Sequence, residues 1–227
     1  MDRPAHDSQA ALALLFGQRA CRAYTGDPVD AADVEVILKA ATHAPSAENA
    51  QPWVFVVVRD AAVRHAIDDL TASVWDQGGR AHSLSTLEPT MFAAVDEFLR
   101  GGYGGAPLLV IVAGDGRAGS TTGALAASVY PATQNLLLAA ATLGYGSAMT
   151  TIAAAMPDAL AAIVGLPAGV RPFAVVPIGR PATKLGPPQR RPVRAVTHLN
   201  AFGTPYPTLR DAVPGPDGGP PPPPPRA

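Results

Sequence analysis

Apolar residues recur along the chain in blocks whose period changes from one block to the next. Ser8 precedes an apolar run from Ala10 to Phe16, which predicts a first helix closed by Gly17. Asp30 is placed to cap a second helix, with Val34, Ile37, Leu38 and Ala41 at helical spacing. Pro45 disfavours helix at the residue before it, so that helix is expected to end at Ala44. Val54–Val58 (VFVVV) reads as a buried strand and Ala61–Ser73 as a helix. Leu108–Ala113 (LLVIVA) reads as a second buried strand, and Phe173–Ile178 (FAVVPI) as a third, with Pro177 placing its end near a sheet edge. Helices between strands predict a layered domain of α/β or α+β type.

The pattern is most extreme between Ala118 and Pro157, where no charged residue occurs. Its centre, roughly Gly123 to Leu143, predicts one long helix that is apolar on nearly every face. Its length of ~20 residues would suit a membrane span. Ser128, Tyr130, Pro131, Thr133, Gln134 and Asn135 interrupt it, however, and much of its apolar content is only alanine. A helix buried on all sides fits better, with one face against a second subunit.

Composition narrows the class further. The 227 residues carry a net charge of −1, which lacks the basic excess of a nucleic-acid binder. A single cysteine fits a reducing cytoplasm, and no secretory signal is read at the N-terminus. Eight of the 25 prolines lie between Pro214 and Pro225. Residues 214–227 can bury nothing, and a polyproline II or disordered tail is expected there, with a proline-recognition ligand as the alternative. Residues 1–213 form one domain, in which about 71–105 reads as a cover segment with a glycine hinge at Gly101–Gly105.

Most candidate chemistry dissolves on inspection. Gly114-Asp115-Gly116-Arg117-Ala118-Gly119 after a strand matches G-x-G-x-x-G, yet no acidic residue occurs between Asp115 and Asp158 to bind a ribose. A glycine-rich turn is the better reading. The five histidines lack metal-ligand spacing, and no nucleophile elbow is present. Cys21 beside Arg22 reads as a packed side chain. What remains is the arginine pairs Arg19/Arg22 and Arg190/Arg191, suited to phosphate, and the polar loop Pro45-Ser46-Ala47-Glu48-Asn49-Ala50-Gln51-Pro52-Trp53.

These pieces occur in a familiar order. Arg19-Ala-Cys-Arg22-Ala-Tyr24, Asp27-Pro28-Val29, the P-S-x-x-N-x-Q-P-W loop, Gln134-Asn135-Leu136-Leu137, Leu143-Gly144-Tyr145-Gly146, Met149-Thr150-Thr151 and Pro177-Ile178-Gly179-Arg180-Pro181 resemble the nitroreductase family of FMN-dependent oxidoreductases. The resemblance covers most of residues 12–200. It implies an α+β fold, a mainly antiparallel sheet wrapped by helices, in an intertwined homodimer with a flavin at each subunit interface. Residues of about 182–213 would form an arm crossing the partner.

Carried over residue by residue, the resemblance places Arg19, Arg190 and Arg191 at the FMN phosphate and Arg22 near flavin N1 and O2. It places Ser46 and Asn49 under the isoalloxazine, and Met149, Thr150 and Thr151 near N5 and O4. Gln18 and Ala20 depart from the family pattern at the phosphate site. Tyr103 is the residue expected to reach a substrate pocket. The implied activity is ping-pong transfer from NADH or NADPH through FMN to a small acceptor such as a nitroaromatic or quinone. Alternatives are a specialised FMN-dependent dehydrogenase and a flavin-sequestering protein with little turnover. No metal, nucleic acid or membrane is implied.

Overall fold

A computed structural model of the protein describes residues 8–117 and 121–207. The chain divides into two compact units, Met1–Pro187 and Pro188–Ala227. The first is built on a four-stranded sheet: β1 (Trp53–Val58), β2 (Leu108–Asp115), β3 (Gly146–Ser147) and β4 (Val170–Gly179). Their order is β1-β2-β4-β3, and every pair is antiparallel. The topology is therefore α+β, and among the described residues no strand pairs in parallel with β2, as a dinucleotide-binding G-x-G-x-x-G would need.

β2 is continuously apolar because both its faces are covered. Leu108, Val110 and Val112 enter one core with α2 (Ala31–Ala41) and α6 (Thr122–Thr142). Leu109 and Ile111 enter a second core with α3 (Ala61–Val74), α5 (Pro89–Arg100) and α7 (Pro157–Val164). β4 alternates in the same way, with Ala174, Val176 and Ile178 in the first core and Val175 in the second. The period of two thus assigns each residue to a layer.

Local signals start the helices. Asp30 accepts from Ala32 N at 2.7 Å, Asp60 from Val63 N at 3.0 Å, and Thr121 from Ala124 N at 3.2 Å. α1 (Ser8–Gly17) ends at its glycine, as expected. α2 stops at Ala41, three residues before the expected Ala44. The Thr42 hydroxyl donates to the Lys39 carbonyl at 2.8 Å and His43 Nδ1 lies 2.7 Å from the same oxygen, drawing it out of the helical ladder before Pro45 is reached. β1 is only half-buried, with Val57 exposed, because it is an edge strand. β4 is interior, yet on its far side β3 supplies only two residues, opposite Ile178 and Gly179, and Pro177 lies beside that short pairing.

α6 spans 21 residues, with Leu125, Val129, Ala132, Leu136, Leu137 and Ala140 buried. It is not buried on all sides: Ala127, Tyr130 and Gln134 form an exposed, uncharged stripe. Among the described residues, no helix is long and apolar enough to cross a membrane. The segment from 71 to 105 is helical, containing the end of α3, a π-helical turn Trp75–Gly79, α4 (Arg80–Thr86) and α5. Trp75 Nε1 donates to Asp96 at 2.8 Å, and Arg80 holds the same carboxylate at 2.9 Å, tying the turn to α5. In the second unit, a 3-10 turn covers Val193–Val196, His198 bridges Pro205, and the Phe202 ring packs on His198. The proline-rich residues 214–227 lie outside the described residues.

On the second face, α3 and the Gly101–Ala106 segment border a cleft of 420 Å³ lined by Arg64, His65, Asp68, Asp69 and Arg100. Burial pushes the Asp68 carboxyl up to about 6, partly offset by His65 and Arg64, and its Oδ1 has no hydrogen-bond donor. A carboxyl whose pKa is raised on folding costs stability as pH rises from its unfolded pKa of about 4 to its folded value, and the loss persists above that. Asp68→Asn is therefore expected to stabilise the protein by about 1 kcal/mol at pH 8 and to change little at pH 4. Urea denaturation at the two pH values checks this.

Candidate active site

The residues from Arg19 to Thr25 run as an extended thread along the β3 edge of the sheet. Ala20 bridges Ser147 in parallel, and Cys21 N donates to Ser147 O at 2.9 Å. Thr25 N donates to Arg180 O and Ala182 N to Ala23 O, both at 3.0 Å. Tyr24 is buried, and its hydroxyl donates to the carbonyls of Cys21 (2.9 Å) and Pro177 (3.3 Å). Cys21 is a packed side chain: a Cβ at Gly146 would stand 2.6 Å from its sulfur, and burial pushes its thiol pKa up. The backbone of the thread is thus held while its arginine side chains are left outside this packing.

Arg19 Nη1 donates to Gly186 O at 3.0 Å. Arg22 is half-buried, and desolvation followed by the nearby Arg19 lowers its pKa. No carboxylate among the described residues pairs with either guanidinium. Two neighbouring cations, one partly desolvated, without a counter-charge form a donor set built for an anion. A phosphate or an anionic ring system fits that set.

Met149, Thr150 and Thr151 follow β3 after Ala148. Thr150 pairs with Val175, and its Oγ1 accepts from Ile152 N at 3.3 Å, which leaves the hydroxyl proton available to donate. Thr150 is buried, whereas Met149 and Thr151 are exposed. The arginine thread and this segment therefore share one sheet edge.

The Ser46–Asn49 loop stands elsewhere. It precedes β1, at the opposite edge and opposite end of the sheet from β3. Three strand spacings and the length of β4 separate them by on the order of 30 Å. Ser46 Oγ accepts from Gln51 N at 3.0 Å, Gln51 Nε2 donates to Asn49 Oδ1 at 3.2 Å, and Ala47 N donates to Ser128 of α6 at 3.2 Å. Glu48, Asn49 and Gln51 all have left-handed backbones, with φ of 52°, 56° and 48°. Three such residues in one exposed loop store strain of the kind found at binding sites. One protomer does not bring this loop and the arginines together. Arg190 and Arg191 lie in the second unit, where both are exposed and Arg190 donates to Gln189 O at 2.9 Å.

Tyr103 does not reach a pocket. It is 1% exposed and lies in the second core, edge-on to Phe98 at 5.4 Å. The glycines around it are built into a turn. Gly102, Tyr103, Gly104 and Gly105 form one left-handed turn, with φ of 66°, 49°, 65° and 76°. Gly104 O accepts from Tyr24 N at 3.0 Å, and a Cβ at Gly104 would overlap the Arg22 carbonyl oxygen and lie 2.8 Å from its carbonyl carbon.

The family model described as Nitroreductase family matches residues 15–180. The chain belongs to the nitroreductase family. A Thermus thermophilus relative named NADH dehydrogenase is 31% identical over an alignment of 192 positions that covers 79% of this chain and 90% of that one. Among solved structures, a Bacteroides thetaiotaomicron protein named for NADH dehydrogenase and NAD(P)H nitroreductase has a TM-score of 0.65 at 26% identity, covering 85% of this chain and 98% of its own. A nitroreductase from Desulfovibrio desulfuricans, solved in complex with FMN, has a TM-score of 0.68 at 24% identity, covering 89% and 99%.

Within this nitroreductase-family fold, sequence reasoning misses two supports. Ser128 steadies the Ser46 loop, and its polar character inside an uncharged helix is a usable signal. Gly104 seats the Arg22 peptide, and only a three-dimensional contact reveals that. Gly104→Ala is expected to cost roughly 3 kcal/mol or more, from the clash and the left-handed backbone together. Chemical denaturation measures it, with Gly17→Ala as a control at a site where a Cβ meets nothing within 4 Å and φ is not positive.

Proposed function

We propose that this oxidoreductase holds FMN between two copies of the chain and uses NADH or NADPH to reduce a nitroaromatic, quinone or related small acceptor. The observation that carries this reading is the Arg19/Arg22 pair, without a counter-charge among the described residues and set far from its own chain's strained loop. A second copy would bring the partner subunit's Ser46 and Asn49 to complete the site. The exposed uncharged stripe of α6 offers a surface for that copy to bury. The residues after about 182 would form the arm that crosses it.

FMN, when bound, supplies reversible two-electron chemistry. Arg19 would hold its phosphate. Arg22 would face the ring edge that gains negative charge on reduction, where a partly desolvated guanidinium acts strongly. Thr150 and Thr151, with Met149, would stand at the edge that exchanges electrons, Thr150 donating its free hydroxyl proton. No side chain need act as general acid or base in accepting hydride, in keeping with the absence of a dyad or triad signature. Donor and acceptor would use one pocket in turn, giving ping-pong kinetics. Dependence on reduced nicotinamide suits a cytoplasmic protein.

The purified protein is expected to be yellow and to bleach with NADH or NADPH under anaerobic conditions. Flavin that resists both donors would favour the specialised dehydrogenase or the flavin-sequestering protein, and a colourless protein that cannot be reconstituted would exclude all three. Arg22→Ala is expected to weaken FMN binding about tenfold and to slow reduction in stopped-flow. Unchanged retention and rate would remove Arg22 from the site. Ala127→Glu, in the exposed stripe, is expected to shift the protein from dimer to monomer in sedimentation and to release FMN with it.

A further inference from the structure

We propose that Tyr103 and Thr71 form a positioning pair for Arg22, acting through the left-handed turn that carries Gly104. The inference rests on the reading of Arg22 as a cation of the flavin site, and it concerns what holds that cation in place.

The geometry is a chain of contacts running from the second core to the site. The Thr71 hydroxyl donates to the Ile67 carbonyl at 2.7 Å, which uses its only proton. The Tyr103 hydroxyl, 2.5 Å from the same Oγ1, must therefore be the donor in that pair. Both side chains are fully buried, and burial pushes the Tyr103 phenol far above its usual range, so it remains a donor at any physiological pH. Tyrosine resists a left-handed backbone. Its presence between three left-handed glycines requires that the ring and hydroxyl be held from inside the core, and Phe98 and Thr71 do this.

The next residue transmits the constraint. Gly104 is seated directly on the Arg22 carbonyl, and its own carbonyl accepts from Tyr24 N at 3.0 Å. On the other side, Cys21 N is fixed to Ser147 and Ala182 N to Ala23 O. The Arg22 peptide is therefore clamped between the sheet edge and the turn. If the tyrosine hydroxyl loses its partner, the turn can relax toward right-handed geometry and Gly104 withdraws from the clamp. Tyr103 touches neither cofactor nor substrate in this scheme. It is a positioning residue, and so is Thr71.

The test compares Tyr103→Phe, Arg22→Ala and the double variant in the flavin-loaded protein, reading how much more tightly each binds reduced than oxidised FMN. That ratio follows from the potential of the bound flavin. Tyr103→Phe is expected to lower the ratio about three- to tenfold in the wild-type background and to leave it unchanged when Arg22 is already Ala. An equal effect in both backgrounds, or none in the wild type, would overturn the proposal. Thr71→Val should reproduce Tyr103→Phe and Thr71→Ser should restore wild-type behaviour; the opposite pattern counts against it, and this pair serves if Tyr103→Phe does not fold. In flavin-free protein, hydrogen exchange at the Tyr24 amide should quicken at least about tenfold in Tyr103→Phe, and unchanged protection overturns the clamp. Failure of wild-type protein to bind FMN, or an Arg22→Ala ratio equal to wild type, would instead sink the underlying reading of the site while the Tyr24 exchange still decides the clamp.

Discussion

The thread that carries Arg19 and Arg22 lies in a slot too narrow for a side chain on either wall. Gly146 presses on Cys21 from one side, and Gly104 presses on the Arg22 peptide from the other. Everything that makes the site useful follows from that fit. A backbone held this closely can present two guanidinium groups without their mutual repulsion displacing it. The sheet contributes the rigid wall, since β4 is clasped between β2 and β3 and the thread pairs along β3 and the residues that follow β4. The helical segment that follows β1 contributes the second wall, and its apolar interior keeps the glycine turn in an unfavourable conformation.

The electrostatics match this mechanical arrangement. Elsewhere among the described residues, Arg80 pairs with Asp96, Arg100 with Asp76 and Arg117 with Asp115. Arg19 and Arg22 stand apart from those pairs. Two adjacent cations without a carboxylate among the described residues are free to meet an anion that is not one of those side chains. The strained loop at the opposite end of the sheet fits the same logic, because its left-handed residues are held by local hydrogen bonds and by Ser128, and gain nothing from burial.

Much of this is legible in the amino-acid sequence. The strands stand out because β2 and β4 are covered on both faces, which turns a two-residue period into an unbroken apolar run. The caps at Asp30, Asp60 and Thr121 are local, and two of the helix starts can be read directly. What escapes depends on contacts that a linear pattern does not carry. The end of α2 is set by the competition of Thr42 and His43 for one carbonyl, and the exposure of β1 by its place at the edge. Gly101–Gly105 reads as a hinge because glycine permits motion, but it equally permits a fixed left-handed turn. Tyr103 is expected at a pocket for being aromatic amid flexibility, and instead anchors the rigid side of that turn. Ser46 and Asn49 belong to a recognisable motif, yet their spacing along the chain says nothing of how far they lie from the arginines they accompany.

The completion of the sheet by residues 20–25, with only two residues from β3, has a consequence for how the protein is made. The thread is synthesised before its partners Ser147, Arg180 and Ala182, which lie more than a hundred residues downstream. Closing loops of that length is slow and must wait for the core strands to assemble. The arginine-bearing edge is thus among the last elements to lock. Until it does, Ser147 of β3 and the backbone at Arg180 present an open edge to other chains.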